Sequence, residues 1–251
     1  MNELNAKPTT ILVTGGSSGL GRAIIQQLLM NGTPNVINFS MHEPDREMLG
    51  EIFYRGDITD AGQVEELFNV LDDNKTIVDT LVNCAGINWL SPLEDMDEDH
   101  WDRVMNTNAR SILTMTRTFL PHLKFRKGTV LNIVSNASHM PMTHSSAYNA
   151  SKGAAHILTL QLARELTKAY GITVFGISPA KIANTSMSRY IDETVPALRG
   201  WTPEEARDYQ LKGLLTGEEV PAENIGEFIA YLLSRRNRNK FLSGCILPYG
   251  A

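Results

Sequence analysis

Thr10-Ile11-Leu12-Val13 is a short apolar run that passes directly into Thr14-Gly15-Gly16-Ser17-Ser18-Gly19-Leu20-Gly21. The residues that follow, Ala23-Ile24-Ile25-Gln26-Gln27-Leu28-Leu29, have helical character and stop at Asn31-Gly32. A run that is apolar at consecutive positions suits a strand buried on both faces, as in a parallel sheet. Strand, glycine turn and helix together therefore predict one βα unit. Glycine lets a backbone approach an anion closely, and a helix N-terminus offers free N–H groups and a positive dipole end. Such a turn is ordinary punctuation when it stands alone. Directly after a first strand, it predicts a phosphate site.

The unit recurs along the chain. Strand-like runs follow at Val36–Phe39, Ile52–Tyr54, Thr80–Val82, Val130–Val134, Ile172–Ile177 and Cys245–Leu247. Between them, Val64, Leu67, Phe68 and Leu71 have the spacing of a helix face turned to a core, as do Ile112, Met115, Thr116 and Phe119. Ile157, Leu160, Leu162 and Leu166 are expected to form a third stripe. Strands alternating with helices predict a doubly wound parallel sheet in a three-layer α/β/α arrangement. Ligands of such folds bind beyond the carboxyl ends of the strands, where strand order reverses.

Composition narrows the function classes. The chain has 251 residues with no linker-like tract or internal repeat, so 1–251 reads as a single domain. Its formal net charge of −5 argues against nucleic acid or an anionic membrane as partner. The two cysteines, Cys84 and Cys245, suggest neither a disulfide framework nor a metal site. Met1–Pro8 lacks the apolar core of a secretory signal, and no run has membrane-spanning length, so a cytoplasmic location is expected.

Tyr148 and Lys152 stand four residues apart in Tyr148-Asn149-Ala150-Ser151-Lys152, thirteen residues beyond Ser135. On a helix that spacing puts both on one face, and the ammonium is then expected to lower the phenol pKa. Taking the phenol from ~10 to near neutrality needs about 4 kcal/mol of differential interaction. A phenol so tuned exchanges a proton at physiological pH. Ser135, at the end of a buried strand, can hold a substrate oxygen.

Thr14-Gly15-x-x-x-Gly19-x-Gly21, Asn83-Cys84-Ala85-Gly86, Asn108, Ser135 and Tyr148-x-x-x-Lys152, in this order and spacing, resemble the short-chain dehydrogenase/reductase family. The resemblance runs from the first strand to the last and implies a Rossmann-type sheet of about seven strands. It implies an NAD(P)-dependent oxidoreductase that interconverts a secondary alcohol and a ketone. Tyr148 would be the acid/base, with Lys152 lowering its pKa and binding the nicotinamide ribose. Ser135 would orient the substrate, and Asn108 would hold a water in a proton relay. Asn106 rivals Asn108, although the seven-residue step from Trp101 favours the latter. Gly15, Ser17, Ser18, Gly19, Leu20 and Gly21 would hold the cofactor phosphates. Ser40, Asp57, Ile58, Asn83, Ala85 and Gly86 would lie along the adenosine half, and Pro179 and Ile182 along the nicotinamide half. Asp57 competes with another role, capping the next helix, which Asp60 can also fill.

Cofactor choice depends on the end of the second strand, where an acidic residue favours NAD and a basic one NADP. Ser40-Met41-His42, with Arg46 close by, has no carboxylate at that point, so NADP is favoured over NAD. Departures from the family pattern are Cys84, Pro179-Ala180 and Tyr249-Gly250. Asn184 stands where a nicotinamide-contacting Thr is usual, with Thr185 next. The segment 184–217 would be a substrate lid. Asn136, His139, Met140, Met142 and His144, with Asn88 and Trp89, are expected to line the substrate pocket, His139 being equally readable as a solvated loop residue. A homodimer or homotetramer is implied, through helices containing Asn108–Leu120 and Ser151–Lys168. Two alternatives are a 3-oxoacyl-thioester reductase and a non-catalytic NAD(P)-binding regulatory protein.

Overall fold

A computed structural model describes residues 9–250; the leader Met1–Pro8 lies outside the described residues. The strands are β1 (Thr10–Thr14), β2 (Asn35–Ser40), β3 (Glu51–Arg55), β4 (Thr80–Asn83), β5 (Thr129–Ile133), β6 (Thr173–Pro179) and β7 (Ile246–Tyr249). They form one parallel sheet in the order β3-β2-β1-β4-β5-β6-β7. The order reverses between β1 and β4, which opens a crevice at their carboxyl ends.

The helices that fill the two outer layers are α1 (Gly19–Met30), α2 (Ala61–Asp73), α3 (Glu98–Met105), α4 (Ser111–Thr118), α5 (Leu120–Arg126), α6 (Ser146–Tyr170), α7 (Ser186–Arg199), α8 (Pro203–Lys212) and α9 (Ala222–Ser234). Although β1 is apolar throughout, alternate side chains go to opposite faces. Leu12 packs with Val64, Leu71, Met115 and Leu166 on one face. Ile11 and Val13 pack with Ile24, Leu28, Ile225 and Ile229 on the other. The two-residue period of a strand thus serves two cores at once.

One stripe differs from its expected position. Ile157 is 63% exposed, and α6 turns Ala155, Thr159, Leu162, Ala163 and Leu166 inward instead. The expected stripe mixed residues from two faces, and small Ala and Thr side chains take the inner face because the helix lies close on the sheet. Pro196 does not interrupt α7, which continues to Arg199 and ends at Gly200 with φ +65°.

Candidate active site

The glycine turn is built by close approach. A Cβ on Gly15, whose φ is +69°, would lie 2.8 Å from the Ala85 Cα, and one on Gly21 would lie 2.2 Å from the Gly15 carbonyl oxygen. The space is therefore available only to glycine. Ser18 precedes α1 in extended conformation without a side-chain cap, and the first turn of α1 carries no acidic residue. Its first N–H groups stay free for an anion. Thr14 Oγ1 accepts from the Cys84 and Ala85 N–H groups at 3.0 and 3.2 Å, which docks the loop after β4 against the turn. These features fit a dinucleotide pyrophosphate.

Beneath the turn lies a polar group with no local signal in the sequence. The Glu51 carboxylate, with a side chain only 1% exposed, pairs with Arg22 at 2.6 Å and accepts from Asn38 Nδ2 at 2.9 Å. The same amide donates to Ser17 Oγ at 3.1 Å, while Ser40 Oγ donates to Asn38 Oδ1 at 2.7 Å. Residues from four segments fix the turn against the end of β2. A charge at the start of a strand gives no hint, in sequence, of the Arg that meets it.

Across the crevice, β5 delivers Ser135 and the first turns of α6 deliver Tyr148 and Lys152, all three buried. Ser135 Oγ accepts from the Ala137 N–H at 3.2 Å and donates to Asn136 Oδ1 at 3.2 Å. Lys152 Nζ donates to the Ile133 carbonyl at 2.9 Å and stands 5.8 Å from the Tyr148 ring centre. Burial pushes the Lys152 ammonium down from 10.5 to about 8. Burial also raises the Tyr148 phenol, opposed by its hydrogen bond with Ser135. This corrects the expectation of a phenol pKa lowered by the neighbouring ammonium: desolvation of the phenolate dominates, and the opposing influence is the Ser135 hydrogen bond. The Cys84 thiol is pushed up to about 12 by burial, so it stays protonated.

Asn108 lies in a wide helical turn, Asn106–Arg110, between α3 and α4. Its Oδ1 accepts from the Ile87 N–H at 2.8 Å, while its Nδ2 donates to the Ile87 carbonyl at 2.8 Å and to Ser151 Oγ at 2.9 Å. Both polar atoms of the side chain are thus engaged in clamping the loop after β4 to α6 beside Lys152. A Cβ on Gly86 would meet Asn108 Oδ1 at 3.2 Å and Lys152 Nζ at 3.6 Å, which locates the three groups together. Both N–H groups of Nδ2 are thereby used, and Asn106 rather than Asn108 reaches the wall of the crevice.

The crevice is one continuous cleft of about 1290 Å³. Of the expected cofactor residues, Gly15, Ser17, Ser18, Gly19, Leu20, Gly21, Ser40, Asp57, Ile58, Ala85, Gly86, Pro179 and Ile182 all line it, with Ser135, Asn136, Tyr148 and Lys152. Asn83 does not. Its Nδ2 donates to Asn132 Oδ1 at 2.8 Å, and Asn132 Nδ2 donates in turn to Thr159 Oγ1 at 2.9 Å, so its side chain ties the sheet to α6. Asp60, not Asp57, caps α2 by accepting from Gly62 and Gln63, which leaves Asp57 on the cleft wall.

Two expected substrate residues stand elsewhere. Trp89 stacks on the His100 ring at 3.5 Å, and His139 is exposed beside Ser138, neither lining the cleft. Asn88, Met140 and Met142 do line it, whereas His144 does not. Asn184, at φ +56°, turns the chain so that Thr185 faces the cleft, its methyl 3.6 Å from where a Gly19 Cβ would be. Arg46 is also absent from the lining, which at that end contains Glu43 and Asp45. The sequence could not foresee this, because Arg22 donates to the Arg46 carbonyl and turns the segment after β2.

The glycine turn and the Ser135, Tyr148 and Lys152 group face one another across a single cleft at the carboxyl ends of a doubly wound parallel sheet. Comparison with known proteins agrees. The family model described as short chain dehydrogenase matches residues 9–196. Sorbitol-6-phosphate 2-dehydrogenase of Klebsiella pneumoniae is 30% identical over 247 residues, covering 93% of this chain and 92% of its own. D-beta-hydroxybutyrate dehydrogenase of Rhizobium meliloti is 27% identical, covering 89% of this chain and 90% of its own. The crystal structure of a short chain dehydrogenase family protein from Francisella tularensis superposes with a TM-score of 0.83 at 25% identity, covering 96% and 97% of the two chains. The chain belongs to the short-chain dehydrogenase/reductase family of oxidoreductases.

Proposed function

We propose that this protein interconverts a secondary alcohol and a ketone, with Tyr148 as acid/base, and that it uses NAD. The observation that carries the reading is the single cleft lined by both the glycine turn and Ser135, Tyr148 and Lys152. A nicotinamide cofactor, when bound, supplies or accepts the hydride. The side chains handle the oxygen. In ketone reduction Ser135 Oγ donates a hydrogen bond to the carbonyl, and the Tyr148 hydroxyl gives its proton to the same oxygen as negative charge develops there. The Lys152 ammonium stabilises the phenolate left behind. Asn108 positions the Gly86 loop and α6 so that this geometry holds.

Charge along the adenosine end favours NAD over NADP, reversing the preference drawn from the sequence. Glu43, Asp45 and Asp57 line that end from the segments after β2 and β3, which contribute no Lys or Arg to the lining. A 2′-phosphate would bring a second anion beside Asp45 and Asp57, with no Lys or Arg of these segments in the lining to receive it; Glu43 is paired with Arg55 at 2.7 Å. Further parts of the reading are that 184–217 closes over the substrate, since α7 and α8 form one wall of the cleft, and that copies of the chain associate. Leu113 on α4 and Ile157 on α6 are large apolar side chains left exposed on the helices through which association is expected. Among the described residues no helix is long and apolar enough to cross a membrane. The relatives' names, a sugar-alcohol phosphate and a hydroxy acid, support the alcohol-to-ketone reaction class more than any one substrate.

The test is a fluorescence titration with NADH and NADPH in parallel, followed by a screen of alcohols with the tighter cofactor. NADH should bind more tightly, and Tyr148→Phe should lower kcat by roughly 10²–10⁴-fold while leaving NADH affinity intact. Unchanged turnover in that variant would remove Tyr148 from the chemistry. Binding of neither nucleotide by the folded protein would refute the enzyme reading as a whole.

A further inference from the structure

Charge is segregated along the cleft. The carboxylates in its lining are Glu43, Asp45 and Asp57, all on the segments after β2 and β3. The wall made by α7, α8 and the segment after β6 is lined by Lys181, Arg199 and Lys212, with no carboxylate among the lining residues there. Lys181 is neutralised, since its Nζ meets Glu219 at 2.8 Å and Asp192 as well. Arg199 and Lys212 have no carboxylate or hydrogen-bond partner for their side chains among the described residues.

Arg199 is also held in place. Its guanidinium carbon lies 4.8 Å from the Trp201 ring centre and 4.9 Å from that of Tyr209. The two rings themselves are 5.1 Å apart. Aromatic groups take the flat face of a guanidinium and leave its N–H edge as the hydrogen-bonding surface. That edge matches the paired oxygens of a carboxylate or phosphate. A simpler account exists: Arg199 and Lys212 end α7 and α8, where cations complement the helix dipole. That account explains their sign. It does not explain the aromatic contacts of Arg199 or the absence of a carboxylate from the lining there.

We propose that the substrate carries an anionic group, carboxylate or phosphate, which Arg199 and Lys212 receive while its carbonyl or alcohol lies at Tyr148. The proposal rests on the hydride-transfer reading and assigns the substrate class of that same cleft. A molecule bound in this way has its anionic group on the α7–α8 wall and its hydroxyl or carbonyl at Tyr148, both of which line the same cleft.

The experiment uses the full chain saturated with NADH, so that the cofactor's own phosphate site is filled. Inorganic phosphate and acetate are titrated separately, with the fluorescence of bound NADH as the signal and isothermal calorimetry as a second readout. At least one anion should bind, and Arg199→Gln with Lys212→Gln should weaken it by roughly tenfold or more, as expected for lost charge-assisted hydrogen bonds. Arg199→Lys should recover part of that loss. Tighter phosphate than acetate identifies a phosphorylated substrate, and the reverse order a carboxylate. Binding of neither anion, or equal binding by the double variant, overturns the proposal, as does a variant that loses only melting temperature, which is the dipole role. Failure of NADH itself to bind would instead refute the underlying reading of the cleft.

Discussion

Replacing Lys152 by Met in a Tyr148→Phe background should alter how stability depends on pH, by an amount that burial fixes. Lys152 is 4% exposed, and burial depresses its ammonium from 10.5 to about 8. Below about pH 8 both folded and unfolded chains carry the proton; above 10.5 neither does. Between these limits the unfolded chain holds a proton that the native chain has released, so stability rises with pH. The destabilisation by the buried cation is thus fully present at neutral pH and is relieved as pH climbs through that window. At about 1.4 kcal/mol per pH unit, the relief is about 3 kcal/mol. Met has no such group, so its advantage over Lys should be greatest near neutrality and shrink by about that amount at high pH. Met also leaves the Ile133 carbonyl without its donor, at a cost of about 1–3 kcal/mol. That loss is insensitive to pH, which makes the slope the decisive quantity rather than the offset. The Phe background removes the phenol, whose raised pKa would otherwise lower stability with pH above ~10. Urea unfolding followed by circular dichroism, from about pH 7 to about pH 11 at constant protein concentration, measures the slope. A stability difference that stays flat within ~0.5 kcal/mol would show that Lys152 is not desolvated as its burial implies.

Two further substitutions separate the binding turn from its supports. Gly21→Ala places a methyl 2.2 Å from the Gly15 carbonyl, so the turn must open, and NADH affinity in a fluorescence titration should fall by roughly tenfold or more. Asn83→Ala leaves Asn132 Oδ1 without its donor, which should lower unfolding stability by about 1–3 kcal/mol in urea. NADH affinity should barely change in that variant; a parallel loss would return Asn83 to the cofactor site.

Local signals carried much of this protein. The consecutive apolar run of β1, the glycine turn and the four-residue step from Tyr148 to Lys152 each act over less than one βα unit. Their physical basis lies in backbone geometry, so the sequence alone determined the parallel sheet, the crevice and most of its lining. What it could not supply were interactions among distant segments. Glu51 meets Arg22 across 29 positions, and Asn83 meets Asn132 across 49. These pairings decide which polar residues face the cleft and which hold the sheet and turn together. Desolvation belongs to the same level, because the four-residue step brings Lys152 near Tyr148 but does not say how dry the site is. Only the packed structure made burial, rather than the adjacent charge, the dominant influence on both groups, and only packing gathered Arg199, Trp201 and Tyr209 at the cleft's basic end.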